Sequence, residues 1–353
     1  MKRAFLILLA IIAIVCIKQG YELFTANELT ENHLVGSLSD IADEVVAIPL
    51  QTAGKHSIEK VKNVRKEGNN LFLISEGTLY RFSRKGEFIC RITDPNTIKV
   101  AGYVVNPVSR QLIVLGNVDD IHYYSYDGQL IDKKKLKSDL PGHRMSSISL
   151  YNNHIWTTEE CIKNDSSTKV SYLEKQVVEY DSSFQKMKTH KLVQANLGRK
   201  DCGISCLPPT LSVSGDTGII YAYSPSTETN KLLRDTLFLK KQQDKEEQNY
   251  SADGILLYPI RFGSRFWVST YHNKHNEKGS YTFCYDTLNN QSWQVQGGFK
   301  DNFYHTGAVP ELQAMDLYNQ SYCFCKSGQE IKKAFPEYAN EKSPVLFIVK
   351  LKA

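Results

Sequence analysis

Six short apolar segments recur along the chain, and each is followed by a polar gap and a second strand-like run. They are LFLIS (71–75), LIVLG (112–116), HIWTT (154–158), IIYAYS (219–224), RFWVST (265–270) and SYCFCK (321–326). Their centres, Leu73, Val114, Trp156, Tyr221, Trp267 and Phe324, stand 41, 42, 65, 46 and 57 residues apart. Those are the spacings of four-stranded propeller blades with insertions. From Ser37 onward no stretch keeps a long 3.6-residue apolar period, so the body is expected to be all-β. An open sandwich would leave six recurrences unexplained.

The runs that follow repeat as well: TLYRFS (78–83), IHYYSYD (121–127), QVVEYD (176–181) and YTFCYD (281–286). The turns after the first two, Arg84-Lys85-Gly86 and Asp127-Gly128, are hairpin chemistry, because Asp and Gly tolerate positive φ. The third and fourth strands of a blade are therefore expected to form hairpins. Asp127 to Asp181 is 54 residues and Asp181 to Asp286 is 105. That gap leaves room for one further blade around residues 231–240, whose register the pattern does not give.

The last strand, PVLFIVKLK (344–352), ends its blade without an outer partner, and EVVAIPL (44–50) has no partner of its own. Pairing the two removes both free edges. The expected fold is a six-bladed β-propeller closed by pairing of the N-terminal strand with the C-terminal blade.

Lys2 and Arg3 precede an unbroken apolar run over residues 4–17, a positive n-region followed by an h-region of signal-peptide length. As a helix, those residues span only ~21 Å, short of the ~30 Å hydrocarbon core. Residues 1–20 are thus read as a signal peptide or short membrane anchor, 21–36 as a linker and 37–353 as one propeller domain. Cys16 closes the run where a bacterial lipoprotein carries its acylated cysteine, although Val15 stands where such signals place a small residue. Lipidation at Cys16, an uncleaved anchor and soluble secretion all stay open.

Nearly all of the chain after the signal resembles the six-bladed β-propeller proteins common in the cell envelope of Gram-negative gut anaerobes. The resemblance rests on SLSDIADEVVAIPLQT (37–52), on the strand-turn-strand units with Gly86 and Gly128, and on SPVLFIVKLK (343–352). After Ile92 the chain departs from the pattern, with Thr93-Asp94-Pro95-Asn96 where many members have a Gly-Pro-Gly-Glu-Tyr type of loop. The resemblance implies a lipid-anchored or periplasmic protein, mostly in a group without an assigned activity.

Charge excludes some partners. The chain carries 43 Lys+Arg against 38 Asp+Glu, a net +5. The runs Lys133-Lys134-Lys135 and Lys240-Lys241 lack the interleaved aromatics of single-strand binders, so no nucleic acid partner is expected. Cys90, Cys284, Cys323 and Cys325 lie in strand patterns and read as small buried hydrophobes. Cys202 and Cys206 flank a short loop and could close a disulfide, with Cys161 as a competitor. No second ligand pair accompanies them, so neither metal nor cofactor is expected. His272 and His275 read as part of a solvated hairpin.

Propeller sites commonly lie where the loops joining second to third strands converge on the channel. The repeat register names Glu76; Asp119 and Asp120; Glu159 and Glu160; and Tyr271 and His272 as the channel-mouth candidates, with Asn117, Ser224, Ser226, Lys326 and Ser327 beside them. Carboxylates from neighbouring blades would favour a cation, an amine or a hydroxyl-rich ligand. Ordinary exposed loop acids are the plainer reading. The functional expectation is an exported, membrane-tethered ligand-binding or protein-interaction module. Its partner would be an envelope protein, a glycan or another small molecule. The alternative is a propeller hydrolase or lyase, which needs an acid, a base or a metal converging at the mouth.

Overall fold

The computed structural model describes residues 36–51, 58–117, 120–136, 142, 144–151, 153–165, 170–196, 211–214, 219–222, 254–256, 260–263, 265–273, 281–286, 288–289, 291–295, 298–315, 321–338 and 343–353. A one-turn helix α1 (Leu38–Ile41) leads into β1 (Ala42–Pro49). Three four-stranded antiparallel sheets follow in sequence order: β2 (Lys62–Glu67), β3 (Asn70–Ser75), β4 (Thr78–Ser83) and β5 (Phe88–Arg91); β6 (Val100–Asn106), β7 (Gln111–Gly116), β8 (Asp120–Ser125) and β9 (Leu130–Lys135); and β10 (Arg144–Tyr151), β11 (His154–Asp165), β12 (Val170–Tyr180) and β13 (Lys186–Asn196). Next comes the pair β14 (Leu211–Ser214) and β15 (Ile219–Ala222). In the fifth blade β16 (Gly254–Leu256) and β17 (Ile260–Phe262) share the inner edge of β18 (Phe266–Asn273), with β19 (Tyr281–Asp286) and β20 (Gln291–Val295) outside it. A hairpin, β21 (Phe299–Asp301) and β22 (Gly307–Val309), leads to the last sheet of β23 (Gln313–Ala314), β24 (Ser321–Lys326) and β25 (Val345–Leu351).

The second strand of each blade is the one the sequence announces, for a physical reason. β3 and β7 are buried at five successive positions, because both of their faces pack against neighbouring blades. Leu71 and Leu73 turn to one interface, while Phe72 turns to the other and meets Leu112 and Val114 of the next blade. Each such side chain contributes roughly 1.5–3 kcal/mol of burial. A doubly buried strand therefore reads as an unbroken apolar run.

The expected pairing of the termini is present. β1 lies antiparallel to β25 as the outer strand of the last sheet, with Val45 opposite Val349 and Ala47 opposite Phe347. Its outward edge is not left bare. The Tyr304 hydroxyl donates to the Val45 carbonyl (3.2 Å) and accepts from the Ala47 N–H (3.3 Å).

One regularity went unseen in the sequence. In four sheets the outer strand bulges at the same place, leaving Asp43, Ile89, Ile131 and Met187 unpaired. Ile131 and Met187 are about half exposed, as a bulge turns its extra residue outward. Bulged outer strands are poor templates for edge-to-edge aggregation, so exposed apolar residues are tolerated there. The blade expected around residues 231–240 lies outside the described residues, as do Cys16, Cys202 and Cys206. Among the described residues no helix is long and apolar enough to cross a membrane.

Candidate ligand site at the central channel

Antiparallel order puts the turns after the second strands, and the connections between blades, at one end of the channel. There the blades are stitched together by backbone bonds. Val100 N–H, at the start of the second blade, donates to the Gly77 carbonyl in the first (2.8 Å), and Asn117 N–H donates to the Lys99 carbonyl (3.2 Å).

Glu76 sits in this turn at φ +49 and is exposed, with its carboxylate 3.5 Å from Lys60 Nζ. Asp120 opens β8, paired with Lys135, and is half-buried. Asp119, Ser224 and Ser226 lie outside the described residues.

Two expected loop positions are strand positions instead. Glu159 and Glu160 fall in the middle of β11, because Cys161 to Asp165 continue the ladder against residues 170 to 174 of β12. The inner strand β10 ends its pairing at Glu160, so β11, β12 and β13 run on past it as a three-stranded wall. Five further residues at about 3.3 Å each extend that wall by roughly 17 Å. Glu160 meets Arg144 across the ladder at 3.1 Å. Glu159 is 2% exposed and accepts from Gln176 Nε2 (2.8 Å) and the Tyr180 hydroxyl (2.9 Å), a structural use of its charge. Tyr271 and His272 likewise belong to β18, with Tyr271 opposite Tyr281 and His272 opposite Ile255. β18 continues here because β16 and β19 both supply partners. Lys326, at the end of β24, is buried and clamps the Ala308 carbonyl and the Glu330 carboxylate, each at 2.6 Å.

Among the described residues, Glu76 and Glu160 therefore stand beside bases and Glu159 is consumed by the fold. Among the described residues no three His, Cys, Asp or Glu side chains gather as metal ligands.

Arg65 of β2 is the channel residue the sequence reading passed over. Its Nη1 donates to the Ala314 carbonyl of the last blade at 2.9 Å and lies 3.4 Å from its own strand's Val64 carbonyl. Met315 N–H donates to Ser321 O on β24, so Ala314, one residue earlier, turns its carbonyl away from β24. On an innermost strand, away from the neighbour means into the channel. The guanidinium accordingly spans the inner strands of two blades inside the channel. Tyr103 and Cys323 are close enough to feel its charge; burial pushes the Cys323 thiol up to about 12 and Arg65 opposes that rise. The innermost strand KNVRKE (62–67) has one edge on the channel and lacks an apolar run. Apolar patterning therefore does not mark it, although it lies just before the visible run of β3.

A family described as 6-bladed beta-propeller matches residues 28–306. Among solved structures, the crystal structure of a "putative exported protein" from Bacteroides fragilis superposes with a TM-score of 0.55 at 15% identity, over 92% of this chain and 98% of that one. This likeness is one of fold. The Pan2 WD40 domain of Neurospora crassa gives a TM-score of 0.41 at 9% identity, over 83% of this chain and 76% of that one. BamB from Moraxella catarrhalis gives 0.34 at 11%, over 81% and 71%. Comparison with curated proteins finds no match.

Proposed function

As the chain belongs to the 6-bladed β-propeller family, we propose that it is a ligand-binding or protein-interaction module of the cell envelope, exported and tethered at the membrane by its N-terminus. In this reading residues 1–20 are the export or anchor segment, 21–36 a linker and 37–353 one domain. Cys16 is the lipidation position, and Cys202 with Cys206 the disulfide formed in an oxidising compartment. The ligand is received at the channel end carrying Glu76, Asp119, Asp120, Glu160, Tyr271 and His272, with Glu159 as support beneath.

The observation that carries this reading is the pairing of charges at that end: Glu76 with Lys60, both exposed, and the largely covered Glu160 with the exposed Arg144. An exposed pair such as Glu76 with Lys60 contributes about 0–1 kcal/mol to folding. It is readily exchanged for bonds to a ligand or a partner surface. The wall of β11, β12 and β13 gives a partner a side to lean on.

The test is made in cells and on the purified chain. Full-length protein should fractionate with membranes, and Cys16→Ala should release it or leave its precursor unprocessed. Neutralising Glu76, Asp120 and Glu160 to Gln or Asn should change binding in a screen of envelope glycans, amines and peptides. Cytoplasmic fractionation would overturn the envelope reading, and a ligand indifferent to the neutralised rim would move the site elsewhere.

A further inference from the structure

The innermost strands carry an unexpected share of the protein's charge. β2, β6, β10, β14, β16, β17 and β23 together hold five bases, Lys62, Arg65, Lys66, Arg144 and Arg261, against one acid, Glu67. That excess of four nearly equals the +5 of the entire chain. Three of the five bases are on β2 alone. Lys62 and Lys66 are exposed on that strand, and Arg65 between them is half-buried.

Arg65 is also positioned. A free arginine at a channel wall would sweep through many rotamers, but Nη1 is fixed by the Ala314 carbonyl across the blade boundary. Nε and Nη2 have no acceptor among the described residues. Their planar donor pair is the edge that receives a carboxylate or phosphate in two parallel bonds. An excess of positive over negative charge on the strands around a low-dielectric channel also concentrates anions there.

We propose that the central channel binds an anionic group, a carboxylate, phosphate or sulfate, on the Arg65 guanidinium, with Lys62 and Lys66 adding attraction. This goes beyond the binding-module reading, since it places a basic subsite inside the channel apart from the acidic rim, and it rests on that reading only for the biological setting. A sugar acid, a phosphorylated headgroup and a sulfated glycan share this chemistry.

Calorimetric titration of the full chain in nonionic detergent tests it, with citrate, inorganic phosphate and sulfate as separate probes and glucose as the neutral control. At least one anion should bind saturably at about 1 mM or tighter, more weakly as sodium chloride rises, while glucose should give no heat. Arg65→Gln should weaken that binding by about tenfold or more. Because Arg65 also joins two blades, its variant is checked by circular dichroism. If it unfolds, Lys62→Gln/Lys66→Gln decides, since both side chains are exposed and need only lose charge. That variant should bind about threefold more weakly and with a shallower salt dependence. Wild type that binds none of the three anions, or binding unchanged in the folded variants, overturns the inference. A chain found in the cytoplasm that still binds citrate through Arg65 would sink the envelope reading and leave this one standing.

Discussion

The hydroxyl of Tyr103, on the innermost strand of the second blade, lies 2.7 Å from the carbonyl of Asn63 on the innermost strand of the first. It shares its proton with the Phe72 carbonyl, also at 2.7 Å, and the ring is buried. Asn63 can present its carbonyl this way because it sits at φ +48, inside a register shift between Lys62 and Arg65. Tyr103→Phe keeps the ring and removes the hydroxyl that ties these two strands together. It should cost about 1–2 kcal/mol in urea unfolding, whereas an unchanged midpoint would mean that the bond does not help hold the blades together.

Blade-to-blade contacts are tight where the third-to-fourth turns meet the preceding blade. Gly86 has φ +87, and a Cβ there would stand 2.0 Å from the Pro49 carbonyl oxygen. Gly68 has φ +55 with open space around it. Gly68→Ala should therefore cost only the backbone penalty of about 1–2 kcal/mol, and Gly86→Ala distinctly more. Equal losses in thermal melts of the two variants would contradict the close approach.

β1 offers a comparison between adjacent residues. Ala47 turns its N–H outward to Tyr304, so by alternation Val46 turns its N–H inward to β25. Val46→Pro should break the ladder, costing about 2–3 kcal/mol and exposing the apolar edge of β25 to aggregation. Ala47→Pro loses only the bond to Tyr304 and should be the milder change. The reverse order, read by melting temperature and light scattering, would refute the pairing.

Two sets of buried groups set the pH limits. Asp286 is 1% exposed and takes two bonds from Arg265, at 2.8 Å each, so its carboxyl is held below the usual range by those bonds, against the opposing effect of burial. A depressed carboxyl lends stability above its unfolded value near 3.8 and loses it as pH falls through the folded one. Asp286→Asn should leave less acid sensitivity and cost about 3–5 kcal/mol at neutral pH, because Arg265 loses the buried carboxylate it grips with two bonds. On the alkaline side, burial pushes Tyr123 and Tyr126 up to about 12, and raises Cys284 and Cys323 as well. Groups buried in their neutral form favour the fold below their unfolded values, near 9 for thiols and 10 for tyrosines. Stability should fall as pH rises past 9. Melting temperatures flat to pH 11 would show that these groups titrate freely in the folded protein.

The sequence by itself determined the repeat. A strand packed on both faces must be apolar at every position, so LFLIS and LIVLG could be read without any partner in view. The Asp-Gly and Lys-Gly turns were legible for a similar reason, since positive φ restricts the residue locally. The pairing of 44–50 with 344–352 followed from the need to leave neither edge free. Other features depended on what lies across a boundary. The lengths of β11 and β18 are set by partners that continue beside them, which carried Glu159, Glu160, Tyr271 and His272 out of loops and into ladders. Whether an acid is a free ligand or a filled acceptor is likewise decided by neighbours remote in sequence, as Gln176 and Tyr180 decide it for Glu159. Arg65 shows the same limit most plainly. Its charge is written in the chain, but its place in the channel depends on which way the Ala314 carbonyl turns, 249 residues away, and only the packing of two blades fixes that direction.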